Sequence, residues 1–581
     1  MTTQAPNEGI LYEPDDPCPL PVAISVGIQG VLLVIAPTVL YVSVASVAAD
    51  QPDAYLSWAV FASLIINGIV TALHAGRLGR IGARHVLISG TAGNFIAVAV
   101  TALSEGGPAL LASLVLVSSL FQFVVAAWLP LLRRIITPVV SGTVYMLIAA
   151  MIIPIAIDSL DEAHEHTSLW AYPTVAMVTL TVALMLGLRA SGRFRLLSTL
   201  IGIASGVAVA ALFGIYEVDR IVEAPWVGLP NEEFPGFRFA FGPHFWGLLP
   251  VFLIVTLVST IKIIGGGSVV QQTARRNMTA TDFRLVQGAV NANGIGTMLT
   301  GFTSTLPTIT YEAFSVSLTN FTGVAARKVG YIIGIVLVAM ALLPKLTAIL
   351  LSIPAPVTGA YILMTMGILF VEGMRTVIQE GLDYRKTLIA GVAFAIGLGF
   401  ESQTVFGQLL TGVWGEILTN GLTVGAIAAV AMNLFVEITG ARIRRLRVEL
   451  DMASLPRMDA FLRDVASRQG WDSSSQQRLS FIGEETLAIL LQDAAGSSSV
   501  GSTRHLLISA RPEARILELE FLTAFDDDEN IEDRLVYLGE QMETPSESEI
   551  SFRILRHYAS SVRHRKYHGI DIVTIEVQGG A

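Results

Sequence analysis

Hydrophobic and polar positions along this chain alternate on a scale of about twenty residues, not of two or four. Apolar runs lie near 20–46, 55–75, 85–103, 108–129, 137–157, 170–188, 197–215, 244–270, 282–301, 306–322, 329–349, 352–372, 386–401 and 405–438. Most are long enough for a helix to cross about 30 Å of hydrocarbon, which predicts about fourteen transmembrane segments. Arginine and lysine occupy alternate connections: Arg77, Arg80 and Arg84; Arg133 and Arg134; Arg189, Arg193 and Arg195; Arg275 and Arg276; Arg327 and Lys328; Arg375 and Arg385; then Arg442, Arg444, Arg445 and Arg447. The intervening connections, such as 49–54, 104–107 and 158–168, carry few or none. The positive-inside rule then places both termini in the cytoplasm, as an even number of crossings requires.

Beyond residue 440 the period shortens. A basic stretch at 441–454 reads as a linker, followed by helical patterns near 455–470 and 476–494 and strand-like alternation at 505–509 and 516–521. A further helix is expected near 547–561 and a closing strand at 570–577. The expected fold class is therefore an all-α polytopic membrane domain over 20–440, preceded by a cytoplasmic tail at 1–19 and followed by a small cytoplasmic α/β domain over 455–578.

Composition agrees with that division. The 581 residues are 52% hydrophobic and only 14% charged, against roughly 25% charged in soluble domains. A net charge of −10, with no basic patch interleaved with aromatics, argues against nucleic acid as a partner. The single cysteine, Cys18, excludes an intrachain disulfide framework. The acidic N-terminus lacks the features of a cleaved signal peptide and is expected to remain on the mature protein. No nucleophile-base arrangement or metal-ligand spacing stands out, so neither enzymatic chemistry, a cofactor nor a metal is expected.

The stretch PVVSGTVY at 138–145 reads much like APVTGAY at 355–361, each leading into a Met-containing apolar run. Two related halves are a common construction in transporters, with substrate bound where they meet.

Polar groups at mid-membrane depth are costly and mark candidate functional sites. Four places qualify. Gln29 lies within GIQGVLLVIAP of the first run; either it serves the site or its amide satisfies a neighbouring helix. In the third run, Gly93, Asn94 and Phe95 follow Gly90-Thr91-Ala92, where small and polar residues interrupt the helix. Such a break exposes backbone N–H groups and the positive end of a half-helix to a ligand. Ser259, Thr260 and Lys262 form the third place. One helix from about Trp246 to Arg275 would bury the Lys262 ammonium at mid-span, whereas a break at Gly265-Gly266-Gly267 would let it reach the cytoplasmic boundary. The fourth place, 303–315, is rich in hydroxyls and contains Thr310, Glu312 and Ser315; its carboxylate either titrates, pairs with Lys262 or bonds a ligand.

Several ordered motifs carry a resemblance. NGIGTMLTG at 293–301, LPTITY at 306–311, TGVAARKVG at 322–330, IPAPVTG at 353–359 and EGLDY at 380–384 resemble the signature of the nucleobase-ascorbate (xanthine/uracil) permease family, over about 20–438. The resemblance implies two inverted seven-segment repeats arranged as core and gate domains, a core that moves against the gate, and a homodimer. It also implies a nucleobase substrate such as xanthine, urate or uracil, with a proton as coupling ion, in the bacterial inner membrane. The third and tenth crossings would each begin as a short strand and continue as a half-helix. This chain departs from the family where Ser259 stands in place of the usual glutamate, where Lys262 replaces a small residue, and where Gly93 replaces an aromatic. Lys262 therefore suggests an anionic or acceptor-rich substrate. A sulfate or bicarbonate transporter of related architecture, and a nucleobase-sensing receptor, are the rival readings.

The order of elements over 455–578 faintly resembles the ATP-binding fold of histidine kinases and anti-sigma-factor kinases. Gly483-Glu484-Glu485 lacks the metal-binding asparagine of that fold, and 522–528 lacks its glycines. The resemblance thus implies a regulatory or oligomerisation module without catalysis, with Asp526-Asp527-Asp528-Glu529 as a solvated loop.

Overall fold

The computed structural model describes residues 9–132, 137–158, 170–191, 195, 197–216, 218–229, 238–276, 283–378, 384–401, 420–439, 444–495, 504–513, 516–525, 559–567 and 570–578. Two compact units emerge, one built from the chain up to residue 434 and the other essentially from the chain beyond it.

The first unit is helical. Its elements are α1 (Leu20–Ala48), α2 (Asp53–Ala75), β1 (Ser89–Thr91), α3 (Ile96–Leu132), α4 (Pro138–Asp158), α5 (Ala171–Arg189), α6 (Ser198–Leu212) and the short α7 (Val218–Glu223). Then follow α8 (Pro243–Thr273), α9 (Phe283–Phe302), β2 (Thr308–Thr310), α10 (Glu312–Thr322), α11 (Arg327–Ala341), α12 (Pro344–Leu351), α13 (Ala355–Ile378), α14 (Tyr384–Glu401) and α15 (Gly421–Thr439). Among the described residues, seven helices are long and apolar enough to cross a membrane, or eight if α11 and α12 count as one bent span. The chain is a multi-pass membrane protein.

Two expectations drawn from the apolar runs take a different form. The third and fourth runs join in α3, but Gly107 sits there in the left-handed region at φ 65°, directly before Pro108. A left-handed residue followed by one without an N–H cannot continue a straight helix, so the division expected between 103 and 108 falls inside α3. The run at 329–349 does not stay straight: α12 turns 84° from α11, because Pro344 pushes Leu343 out of helical geometry, to φ −113° and ψ 79°. As the family resemblance implied, the third and tenth runs open as short strands, and β1 pairs antiparallel with β2 through Ser89–Thr310, Gly90–Ile309 and Thr91–Thr308. The early part of the run at 405–438 lies outside the described residues.

The helices pack mainly in two groups. Helices α1, α2, α3, α8, α9, α10 and α11 pack on one another, and α4, α5, α6, α13 and α14 form the second set. Glycines set both interfaces. A Cβ on Gly68 of α2 would lie 2.7 Å from the Gly334 carbonyl of α11, and one on Gly142 of α4 would lie 2.4 Å from the Gly373 carbonyl of α13. At these crossings backbones touch directly, which any side chain would forbid.

Residues 9–18, expected to be tail, lace the first group together. Leu11 N–H and Tyr12 N–H donate to the Gly323 carbonyl at 2.7 and 3.1 Å, and Ala325 N–H donates to the Tyr12 carbonyl. Asp15 pairs with Arg84 (3.2 Å) and Arg327 (2.6 Å), and Asp16 with Arg276 (3.1 Å).

The second unit is a two-layer α/β fold. Its antiparallel sheet runs in the order β3 (Arg444–Glu449), β4 (Arg504–Glu513), β5 (Ile516–Phe525), β7 (Ile570–Gln578), β6 (Ser561–Tyr567). Alternate residues Leu506, Ile508, Leu517, Leu519, Phe521, Val573 and Ile575 form a core with Met458 and Leu462 of α16 (Leu455–Arg468) and Leu479 and Ile482 of α17 (Ser473–Ala495). Gly483 lets these helices approach, since a Cβ there would meet Leu462 at 2.5 Å. The basic stretch read as a linker contributes β3, because Leu446 and Val448 alternate with its arginines and turn towards the core. Most of the helix expected near 547–561, and the acidic run at 526–529, lie outside the described residues.

Candidate functional site

The β1/β2 ribbon sits in the middle of the first helix group and starts two half-helices. After β1 a turn of 3₁₀ helix, Gly93–Phe95, leads into α3; after β2, α10 begins at Glu312. A two-stranded ribbon within a bundle is tolerated because its outward polar groups find partners in protein. On one face Asn67 of α2 reaches the Thr91 hydroxyl (3.4 Å), the Thr71 hydroxyl accepts from Ser89 N–H (3.0 Å), and Asn293 of α9 donates to the Thr308 carbonyl (3.2 Å). On the other, the Tyr311 hydroxyl donates to the Thr91 carbonyl at 2.5 Å, and its ring covers Gly90, where a Cβ would come within 2.3 Å.

Helix α8 runs beside the half-helix starts without a break at Gly265-Gly266-Gly267. Lys262 therefore stays at mid-helix, and its Nζ lies 3.4 Å from Glu312 Oε1. The glycines serve a different end: a Cβ on Gly266 would lie 2.7 Å from Glu312 Cβ, so Gly266 makes the room that Glu312 occupies. Glu312 stands in the first turn of α10, where the helix dipole favours a carboxylate. The pair is open to solvent in part, with 36% of the Lys262 side chain and 21% of the Glu312 side chain accessible. The pair is therefore not fully enclosed by the described residues. One turn earlier on α8, Ser259 accepts a hydrogen bond from Asn94 Nδ2 at 2.7 Å. Glu312 Oε2 and Asn94 Oδ1 are both buried with no hydrogen-bond partner. Each is an acceptor with unused capacity, Glu312 Oε2 on the carboxylate that pairs with Lys262 and Asn94 Oδ1 on the amide that bonds Ser259.

Of the residues singled out from sequence, Gly93, Asn94, Ser259, Lys262 and Glu312 come together here. Thr310 lies in the ribbon opposite Ser89. Ser315 ties the half-helix to the ribbon, accepting from Ile88 N–H and donating to the Tyr311 carbonyl, each at 3.0 Å. Thr260 donates back to the Thr256 carbonyl within α8. Phe95 packs on Phe252, ring centroids 5.8 Å apart. Gln29 donates to the Ser25 carbonyl on its own helix, so its amide is served one turn away.

Sequence reasoning missed the aromatic side of the site. Tyr41 of α1 and Tyr361 of α13 stack with centroids 6.0 Å apart. Tyr145 of α4 has a buried, unpartnered hydroxyl. The available signal was a tyrosine in mid-run, whose hydroxyl needs a polar partner that lipid does not supply.

Comparison with known proteins follows the same lines. Residues 22–406 match the family model Xan_ur_permease, described as a permease family. The xanthine permease XanP of Escherichia coli (strain K12) is 27% identical over 451 residues, 74% of this chain and 95% of that protein. The uric acid permease PucK of Bacillus subtilis (strain 168) is 25% identical over 419 residues, 71% of this chain and 94% of its own. Among solved structures, murine Solute Carrier 26 family member A9, an anion transporter in the inward-facing state, aligns with a TM-score of 0.51 at 12% identity, covering 77% of this chain and 73% of that one. The last likeness concerns the fold alone.

Proposed function

This chain belongs to the xanthine/uracil permease family, and from that premise we propose that it is a secondary transporter of a purine base of the xanthine or urate type, driven by a proton. The observation that carries the reading is the Lys262–Glu312 pair at the head of a half-helix, partly accessible, with Glu312 Oε2 and Asn94 Oδ1 buried and lacking donors. An oxidised purine offers what this arrangement lacks: ring N–H donors for the two orphaned acceptors and exocyclic oxygens for the ammonium. The names of the relatives, a xanthine and a uric acid permease, point the same way.

In this reading the chain crosses the inner membrane fourteen times as two inverted repeats, with β1–α3 answered by β2–α10 and α4 by α13. The group containing the ribbon is the moving core, the group containing α4 and α13 the gate, and two chains form a dimer. The sparse packing between the groups among the described residues supports a sliding surface, since an interface with few interlocking side chains shears at low cost. Both termini lie in the cytoplasm by the placement of arginine and lysine. The C-terminal unit, outside the family match, acts as a regulatory or oligomerisation module.

One observation favours a second mode of coupling. Lys262 already neutralises Glu312, so the ammonium can stand permanently where a coupling proton would bind, making the protein a facilitator. Uptake of labelled uracil, xanthine, urate, hypoxanthine, sulfate and bicarbonate into transporter-deficient cells, with and without a protonophore, tests both modes. Saturable purine uptake abolished by the protonophore is the expected result, and insensitive uptake selects the facilitator. Sulfate or bicarbonate uptake without purine uptake, or no uptake at all, overturns the proposal in favour of anion transport or sensing.

A further inference from the structure

Gly93 opens a half-helix with no positive φ, so backbone freedom does not explain a glycine there. Space does. A Cβ on Gly93 would meet the Tyr41 ring at 2.7, 3.0 and 3.2 Å, so a side chain at 93 and the ring of Tyr41 exclude one another. The missing side chain is what admits an aromatic ring from α1 to a point one residue from Asn94.

That ring has a partner. Tyr361 of α13 lies stacked on it at 6.0 Å and 27°, the two hydroxyls 3.4 Å apart. Helix α1 belongs to the group that carries the ribbon and α13 to the other. The stacked pair therefore bridges the two groups at the site itself. Their spacing is that of an aromatic pair already in contact, so a planar ring enters between them only if the groups part by about one ring thickness, roughly 3.5 Å.

We propose that Tyr41 and Tyr361 form an aromatic clamp that takes the flat ring of the base between them and presents its polar edge to Lys262, Glu312 and Asn94. The clamp rests on the transport reading above and adds a selection that the polar groups cannot make. Hydrogen bonds read the edge of the ring, whereas the clamp reads its flatness. A ring-saturated analogue with the same carbonyl and N–H edge is too thick to enter. Because the two rings belong to different helix groups, an occupied clamp also links those groups through the substrate.

The test uses the full chain in proteoliposomes, with labelled urate or xanthine uptake competed by a planar purine and by a ring-saturated analogue. Wild type is expected to favour the planar competitor strongly. Tyr41→Leu is expected to lose about tenfold in affinity for the planar purine and less than about threefold for the saturated one, so that discrimination collapses, while Tyr41→Phe keeps it. Should Tyr41→Leu fail to reach the membrane, Gly93→Ala decides, since its Cβ displaces the ring and should reduce discrimination likewise. Unchanged discrimination in Tyr41→Leu or in Gly93→Ala overturns the clamp while leaving purine transport standing. A wild-type protein that accepts no base overturns the transport reading and the clamp with it.

Discussion

Replacing Lys262 with methionine removes one charge and keeps most of the side-chain volume. Two unit charges about 4 Å apart attract by about 4 kcal/mol at an effective dielectric of about 20, but both partners here are partly accessible, and exposed pairs yield a net of only about 1 kcal/mol or less. The larger effect is what remains behind. Glu312 Oε2 already lacks a partner, and without the ammonium Oε1 loses its ion-pair partner as well, at a cost of about 1–3 kcal/mol for a poorly solvated acceptor. What enters kcat/KM is the ammonium's lost charge-assisted hydrogen bond to an anionic purine, about 1.5–3 kcal/mol, and at about 1.4 kcal/mol per decade kcat/KM for the anion should fall roughly 10- to 150-fold. A neutral base should lose less, since it never drew on the charge. Initial rates of labelled urate and hypoxanthine uptake into proteoliposomes, normalised to protein content, measure both. Lys262→Met carrying the anion and the neutral base at wild-type rates would refute the role assigned to the ammonium.

Three further perturbations follow from the same geometry. Gly266→Ala places a Cβ 2.7 Å from Glu312 Cβ and should displace the carboxylate; transport is expected to fall about tenfold or more with normal amounts in the membrane, as quantitative immunoblotting beside uptake will show. Gly142→Leu drives a side chain into the Gly373 carbonyl and should lower stability by about 1–3 kcal/mol or prevent assembly, read from the melting of detergent-purified protein. In the second unit, hydrogen bonds from Arg444 and Arg468 hold the Asp464 carboxyl below its usual value. A lowered folded-state value means the stabilisation is present above the unfolded value, about 3.9, and is lost as pH falls through the folded one. Hydrogen-exchange protection over 444–468 in the full chain should hold from pH 7 to 5 and decline below about 4, and Asp464→Asn should remove that decline.

Much of the site was legible in the chain because membrane helices advertise their exceptions. Lys262, Glu312, Asn94 and Ser259 stood out as polar residues in apolar runs, and they do converge. Gln29 and Thr260 stood out equally and do not, since a helix can satisfy an amide or hydroxyl on its own carbonyl one turn back. Tyr41 and Tyr361 did not stand out. Each is mostly hydrocarbon, and nothing in its neighbourhood along the chain says that a ring 320 positions away will stack upon it. Gly93 read as a helix interruption, whereas its meaning depends on which ring occupies the space above it.

Hydrophobic run length and the ordered motifs are local quantities, and they sufficed to point to a multi-pass membrane protein of the permease family. The antiparallel closure of β1 on β2, the Lys262–Glu312 pair and the aromatic stack depend on distances between segments far apart in the chain. Those distances come from backbone contacts at Gly68, Gly142, Gly334 and Gly373, where the absence of a side chain has meaning only once the opposing helix is known.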